Sequence, residues 1–210
     1  MEKIDLKKKF MYLYAPSSKK VEIVDIPAFQ FVMIDGRMQA GETPETSQGF
    51  QDAMHALYGI SFTLKFMSKK RDDNPIDYTV MALEGLWWTD SDEFDFKRKD
   101  QWQWTMMMMQ PDHITERMYL DALHAVKEKK DNPALSRVRF ESFQEGLCMQ
   151  IMHIGPYNDE PKTIDKMYAF AAENGYKLCG KHHEIYLGDP RRAKPARLRT
   201  ILRQPIEKAV

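Results

Sequence analysis

The segment with the clearest chemical potential is the strand-like run at residues 181–187, where a carboxylate stands between a histidine and a tyrosine. Side chains alternate between the two faces of a strand, so His182, Glu184 and Tyr186 share one face. An acidic residue inside a strand runs against β-propensity. On a solvent-facing side Glu184 would be an ordinary surface residue. In an aromatic groove it would be a general acid or base, or a counter-charge for a cationic ligand.

Aromatic residues in the other strand-like segments favour the groove. Trp88 follows Tyr78 by an even number of residues, and Trp102 and Trp104 share one face of their segment. Each buried indole N–H needs a hydrogen-bond partner, so four tryptophans are not easily accounted for by a core alone. The same rings would stack on a flat ligand or on a cation. Phe140, Tyr157 and Tyr186 add to this aromatic set.

Two other kinds of site are less well supported. His182 and His183 point to opposite faces of a strand and cannot chelate one ion together, and a site of His182, Glu184 and His153 matches no zinc-binding spacing. We therefore predict no metal. Cys148 and Cys179 lie in or beside apolar segments, which predicts structural thiols rather than nucleophiles.

The composition excludes several classes of protein. Thirty-one basic and 31 acidic residues cancel, so no overall field steers the chain to nucleic acid or to an anionic membrane. The basic residues between positions 191 and 203 come without a recognition motif and predict a solvated face. No apolar run approaches the ~20 residues that span a bilayer, and no apolar signal peptide opens the sequence. We expect a cytoplasmic protein with no cofactor, no nucleic-acid partner and no membrane attachment. The sequence leaves open whether the chain forms a homodimer.

Hydrophobic periodicity predicts the elements that position these residues. Residues 1–20 are interpreted as a loosely attached N-terminal arm. Thr43 is the expected N-cap of a first helix, with Pro44 at its first position and Gly59 as a point of weakness. The charged stretch 89–99 is the candidate linker. Strands are expected near 21–24, 29–34, 78–88, 102–109, 137–143, 147–154, 181–187 and 198–206, and helices near 44–64, 114–130 and 161–174.

Residues 31–36 and 149–155 share a pattern that indicates an internal duplication. Each is a hydrophobic strand ending in glycine, followed by a polar loop, a helix and a returning strand. Two such strand-helix-strand-strand modules would place a ligand in the groove between them. We predict one domain over residues 21–206, with halves at about 21–90 and 100–206.

Three segments resemble the GyrI-like (gyrase-inhibitor-like) small-molecule-binding family, and the resemblance covers about residues 20–206. They are residues 153–157 (HIGPY), residues 184–190 (EIYLGDP) and residues 198–202 (LRTIL). The resemblance implies an α+β fold: a pseudo-twofold pair of modules, an antiparallel sheet with helices on one side, and a central ligand groove. In this family a groove glutamate, at the position of Glu184, often faces cationic, lipophilic drugs.

The sequence has no helix-turn-helix ahead of the module and so resembles the stand-alone members, some of which hydrolyse cyclopropane-bearing DNA-alkylating natural products. That resemblance implies that Glu184 polarises a water for attack on the strained ring, or that a nearby acid, Tyr157, assists the carbonyl. The expected ligand-binding residues are Tyr78, Trp88, Trp104, Phe140, His153, His182 and Tyr186. Three functions are expected: capture of hydrophobic, aromatic or cationic molecules for toxin or drug protection, hydrolysis of such a molecule, or interaction with a protein such as a gyrase.

Overall fold

The structure, a computed structural model, describes residues 2–90, 101–188 and 193–209. Its strands are β1 (Glu2–Ile4), β2 (Glu22–Ile26), β3 (Phe29–Arg37), β4 (Ile76–Tyr78), β5 (Leu83–Trp88), β6 (Gln103–Gln110), β7 (Arg139–Phe143), β8 (Gly146–Ile154), β9 (Tyr176–Leu178), β10 (His182–Tyr186) and β11 (Arg199–Lys208). Its helices are α1 (Leu6–Lys9), α2 (Met11–Tyr14), α3 (Gln48–Lys69), α4 (Glu116–Lys127) and α5 (Glu160–Glu173).

Nine of the described strands form one antiparallel sheet. The order along it is β2-β8-β11-β10-β5-β6-β3-β7, and β9 pairs with the far end of β11. The strands β1 and β4 form a separate parallel pair. Residues 104–110 of the central strand β6 are all buried, which explains why its sequence is mostly apolar and does not alternate. The α+β fold with a large antiparallel sheet is confirmed.

The strand order is symmetric about its centre. The segment β3-α3-β5-β6 contributes the neighbouring strands β5-β6-β3 to the sheet. The segment β8-α5-β10-β11 contributes β8-β11-β10. The strands β5 and β10 therefore meet in the middle. The strand that precedes each segment in the chain pairs with the other segment. Thus β2 precedes β3 but pairs with β8, and β7 precedes β8 but pairs with β3. Such an order is the one expected of two duplicated modules, and the duplication itself stays a prediction.

Each face of the sheet has its own cover. The helices α3 and α4 pack on one face over β3, β5 and β6, and α5 packs on β8 and β11. The N-terminal helices α1 and α2 cover the other face, where Leu6, Leu13 and Tyr14 are buried against a methionine-rich layer. The prediction of a loosely attached arm is therefore wrong. Its three buried apolar side chains outweigh the lysines that dominate its composition. None of the helices in the described ranges is both long and apolar enough to cross a membrane.

Several predicted boundaries shift. The helix α3 begins at Gln48, because Ser47 rather than Thr43 accepts a hydrogen bond from a first-turn N–H. Gly59 neither ends nor breaks α3. The predicted strand 78–88 is two strands, β4 and β5, separated by residues 79–82. Most of the predicted linker, and residues 189–192 with two of the predicted basic residues, lie outside the described residues.

Candidate functional site

Glu184 lies at the centre of the sheet. It occupies the middle of β10, directly opposite Gly85 of β5 and Leu202 of β11. Its side chain projects to the face that carries α3, α4 and α5, and only 7% of the residue surface is exposed. A nearly buried carboxylate requires hydrogen-bonding partners, because an isolated charge is strongly disfavoured away from water.

Those partners form a short chain of hydrogen bonds. The Tyr186 hydroxyl donates to Glu184 Oε2 at 2.8 Å, and the Trp87 indole N–H donates to the Tyr186 oxygen at 3.0 Å. On the other side, His182 Nε2 lies 3.4 Å from Glu184 Oε1. Burial and then the charge of Glu184 raise the pKa of Tyr186 well above its usual value, so Tyr186 is a neutral donor at physiological pH.

A glycine makes room for this arrangement. A Cβ atom at Gly85 would lie 2.8 Å from Trp87 Nε1, so a larger residue there would displace the indole. Phe50 of α3 stacks on the Trp87 ring with centroids 5.8 Å apart, and Trp102 meets it edge-on at 5.2 Å. Trp87 is thus held against β10 from the α3 side and forms one aromatic wall beside Glu184.

The second wall comes from the segment between β8 and α5. Tyr157 begins a 3-10 turn (Tyr157–Asp159), and its ring meets the Tyr186 ring edge-on at 5.9 Å. His153 fixes this turn: its Nδ1 lies 2.9 Å from Thr163 Oγ1 and its Nε2 lies 3.2 Å from the Pro156 carbonyl oxygen. In this structure His153 therefore supports Tyr157 and does not itself line the carboxylate.

The structure brings four of the predicted site residues together and places others apart. Glu184, His182, Tyr186 and Tyr157 form one cluster, and Trp104 adjoins it through Phe50, whose ring centroid lies 5.3 Å from that of Trp104. The predicted wall residue Trp88 lies on the opposite face of β5, because it is one residue from Trp87. Its ring is covered by Lys181, whose Nζ lies 3.3 Å from the centroid.

Two further predicted residues serve the core elsewhere. The Tyr78 hydroxyl donates to Gln110 at 3.3 Å, beside the C-terminal end of α3. Phe140 lies on the outer strand β7 and stacks on Tyr119 of α4. The prediction missed Trp87, because the face that a residue of β5 shares with Glu184 depends on the register between two distant strands.

A cavity of about 700 Å³ lies away from Glu184. It lies at the ends of β3 and β5 and at the start of β10, and Trp88, Trp104 and Lys181 are part of its lining. The rest of the lining includes charged side chains of both signs: Asp35, Arg37, Glu42, Arg137 and Arg139. This mixed, largely paired charge is unlike the aromatic surroundings of Glu184.

Metal ligands and reactive thiols are not assembled in the described part of the chain. No group of three or more His, Cys, Asp or Glu side chains there is arranged to hold a metal ion. Burial raises the pKa of the Cys148 thiol far above its usual range and also raises that of Cys179. Neither thiol is poised to form a thiolate.

The family model described as the GyrI-like small molecule binding domain matches residues 19–207. The chain belongs to this family. A GyrI-like domain therefore accounts for nearly all of the sequence, and the chain is a small-molecule-binding domain by family. A search of curated proteins gave no match.

Solved structures extend the comparison. An uncharacterised conserved protein from Listeria innocua is 38% identical with a TM-score of 0.88, and the match covers 97% of this chain and all of that one. A hydrolase from Listeria innocua is 37% identical with a TM-score of 0.83 and the same coverage of both chains. The C-terminal domain of EcmrR shares the fold: the match has 13% identity and a TM-score of 0.55, and it covers 90% of this chain and 98% of that one.

Proposed function

We propose that this GyrI-like domain is a hydrolase that binds a hydrophobic, planar, electrophilic small molecule beside Glu184 and adds water to it. The observation that carries the proposal is the hydrogen bond from Tyr186 to Glu184 Oε2, at 2.8 Å, on a carboxylate that is nearly buried. That bond holds Oε2 and orients the group, so Oε1, which lies 3.4 Å from His182 Nε2, is the oxygen that would accept a proton from water. The proposed biological role is protection against a toxin or drug.

The chemistry is clearest for a cyclopropane conjugated to a carbonyl. The water oxygen bonds to a ring carbon while one water proton passes to Glu184. The carbon–carbon bond of the ring breaks, and its electron pair moves through the conjugated system to the carbonyl oxygen. That oxygen takes a proton from the Tyr157 hydroxyl, and the proton held by Glu184 returns to Tyr157 through solvent. One water is added, and nothing is oxidised or reduced.

The side chains around Glu184 suit such a substrate. The Tyr186 hydroxyl joins Glu184 to the buried Trp87, and the Tyr157 ring packs edge-on against the Tyr186 ring. Flat rings stack favourably on such aromatic side chains. Further support comes from the hydrolase from Listeria innocua, which matches 97% of this chain at 37% identity.

A second candidate function is capture of a lipophilic cation without turnover. The observation that favours it is the same carboxylate beside aromatic rings, a combination that binds cations by charge pairing and by cation–π contact. In this case Glu184 would serve as a counter-charge and no covalent bond would form.

Two adjacent tryptophans on opposite faces of β5 allow a direct test. A panel of lipophilic cations and of planar cyclopropane-bearing electrophiles would be followed by tryptophan fluorescence and by mass spectrometry. Hydrolysis predicts a product heavier by one water under multiple turnover, and capture predicts a fluorescence change alone. The fluorescence response should vanish in Trp87→Phe and persist in Trp88→Phe. If no compound changes either signal, both functions are wrong.

A further inference from the structure

A second group of charged side chains lies directly behind Glu184, on the other face of the sheet. His183 neighbours Glu184 on β10, and Glu84 neighbours Gly85, the residue opposite Glu184 on β5. Glu145 and Arg203 complete the group, which we call the rear cluster. The side chains of His183 and Glu84 are each 1% exposed, that of Glu145 is 3% exposed and that of Arg203 is 4% exposed. Buried charges of this kind require close partners.

The contacts of His183 define its protonation state. Its Nε2 lies 3.1 Å from Glu84 Oε2, and its Nδ1 lies 3.0 Å from both oxygens of Glu145. Ionised carboxylate oxygens only accept hydrogen bonds, so both ring nitrogens must carry a proton. Arg203 Nη1 also donates to Glu145, at 3.3 Å. Two cations then balance two carboxylates.

The electrostatic surroundings agree with this geometry. Burial opposes a charge on His183, but the carboxylates of Glu145 and Glu84 outweigh it and raise the pKa of His183. Burial likewise opposes a charge on Glu145, but His183 and Arg203 outweigh it and lower the pKa of that carboxyl. Nearby Cys148 stays neutral because burial raises its pKa.

The N-terminal arm closes the rear cluster from above. The Tyr14 hydroxyl donates to Glu84 Oε1 at 2.9 Å, so this carboxylate is held by both the arm and His183. Arg203 Nη2 donates to the Leu13 carbonyl at 3.1 Å. These contacts exclude water from the cluster and strengthen its ion pairs.

We propose that His183 is a positioning residue for Glu184, acting as an imidazolium clamped between Glu84 and Glu145 beneath the N-terminal arm. The contact between His183 and Glu84 ties β10 to β5 from the rear face. The chain from Trp87 through Tyr186 to Glu184 ties the same two strands from the front face. Since successive residues of a strand alternate between faces, a shift of the backbone at His183 moves Glu184 as well. The effect on turnover rests on the proposed function, but the structural coupling does not.

The protonation state is tested on the wild-type protein by NMR with ¹⁵N-labelled histidine at pH 7. We expect one histidine with protons on both ring nitrogens, whose signals disappear in His183→Gln. A His183 ring with a proton on only one nitrogen would overturn the proposal, whatever the protein does to small molecules.

The coupling is tested with His183→Gln and Tyr14→Phe, and with Ile201→Val as a control in the same core without a polar contact. We expect the Trp87 indole N–H signal to shift in the first two variants and to stay in place in the control. With a hydrolysed substrate in hand, kcat should fall on the order of tenfold or more in His183→Gln while KM changes less, because misplacement of a catalytic group acts on the reaction step.

The outcomes separate the two proposals. An indole signal that does not move in either variant refutes the positioning role. A signal that moves in a protein that hydrolyses none of the compounds supports the positioning role and counts against the hydrolase. If His183→Gln does not fold, Tyr14→Phe and the wild-type spectrum still decide the matter.

Discussion

Replacement of Tyr186 by phenylalanine removes the atom that joins Trp87 to Glu184. The variant loses the hydrogen bond to the carboxylate at 2.8 Å and leaves the Trp87 N–H, 3.0 Å from the lost oxygen, without its acceptor. A hydrogen bond to a charged group contributes about 1.5–3 kcal/mol, and a buried donor left unsatisfied costs about 1–3 kcal/mol. These contributions overlap, so we expect the free energy of unfolding to fall by about 3 kcal/mol.

For a chain of this size that loss corresponds to a decrease in Tm of roughly 6–12 °C. The assay is thermal and urea unfolding of Tyr186→Phe beside Tyr119→Phe. Tyr119 is also buried, but its hydroxyl donates to the neutral Val138 carbonyl at 2.7 Å. Its loss should lower the free energy of unfolding by only about 1 kcal/mol.

The same pair of variants should differ in function. Tyr186→Phe should lose most of its turnover, because Glu184 is no longer oriented, whereas Tyr119→Phe should keep it. Equal stability losses in the two variants would refute the inferred hydrogen-bond chain. Unchanged turnover in Tyr186→Phe would refute the role given to that chain.

Three further changes have defined outcomes. Gly85→Ala should displace the Trp87 indole and so alter tryptophan fluorescence. Gly59→Ala, in the middle of α3, should instead raise the free energy of unfolding, measured in urea, by about 0.5–1 kcal/mol. The raised pKa of His183 means that its stabilising contribution is full below about pH 6.5 and is lost as the pH rises through its folded-state pKa. That decrease in unfolding free energy, followed by urea titration across pH, should be absent in His183→Gln. Leu13→Ala should destabilise the protein by about 2–5 kcal/mol, because this side chain is 1% exposed, and Met11→Ala, at 65% exposure, should change unfolding little.

Local patterns in the sequence are enough to predict most elements and the neighbours that share a face with Glu184. Alternation along β10 depends only on neighbouring residues, so His182, Glu184 and Tyr186 were predicted together and lie together. The wall residue Trp87 was missed because its face is set by pairing with β10, about a hundred residues away. Sequence alone offered no way to choose between it and Trp88.

Charged residues inside strands cannot be assigned to the core or the surface from their sequence neighbours alone. Glu84 and His183 look like surface residues in the sequence, because burying a charge is costly unless a partner is present. Their partners, Glu145 and Arg203, come from distant segments of the chain. The N-terminal arm is wrongly predicted to be loosely attached for a similar reason. Its lysines dominate the composition, although Leu13 and Tyr14 are buried against the sheet.

The most direct test of the central claim compares Glu184→Gln with Glu141→Gln. Both changes remove a carboxylate from a strand and keep its shape, but Glu141 lies on the outer strand β7 with its side chain 54% exposed. Under multiple turnover of an electrophile that the wild-type protein hydrolyses, the proposal predicts loss of product formation in Glu184→Gln and wild-type rates in Glu141→Gln. Continued hydrolysis at the wild-type rate in Glu184→Gln would contradict it.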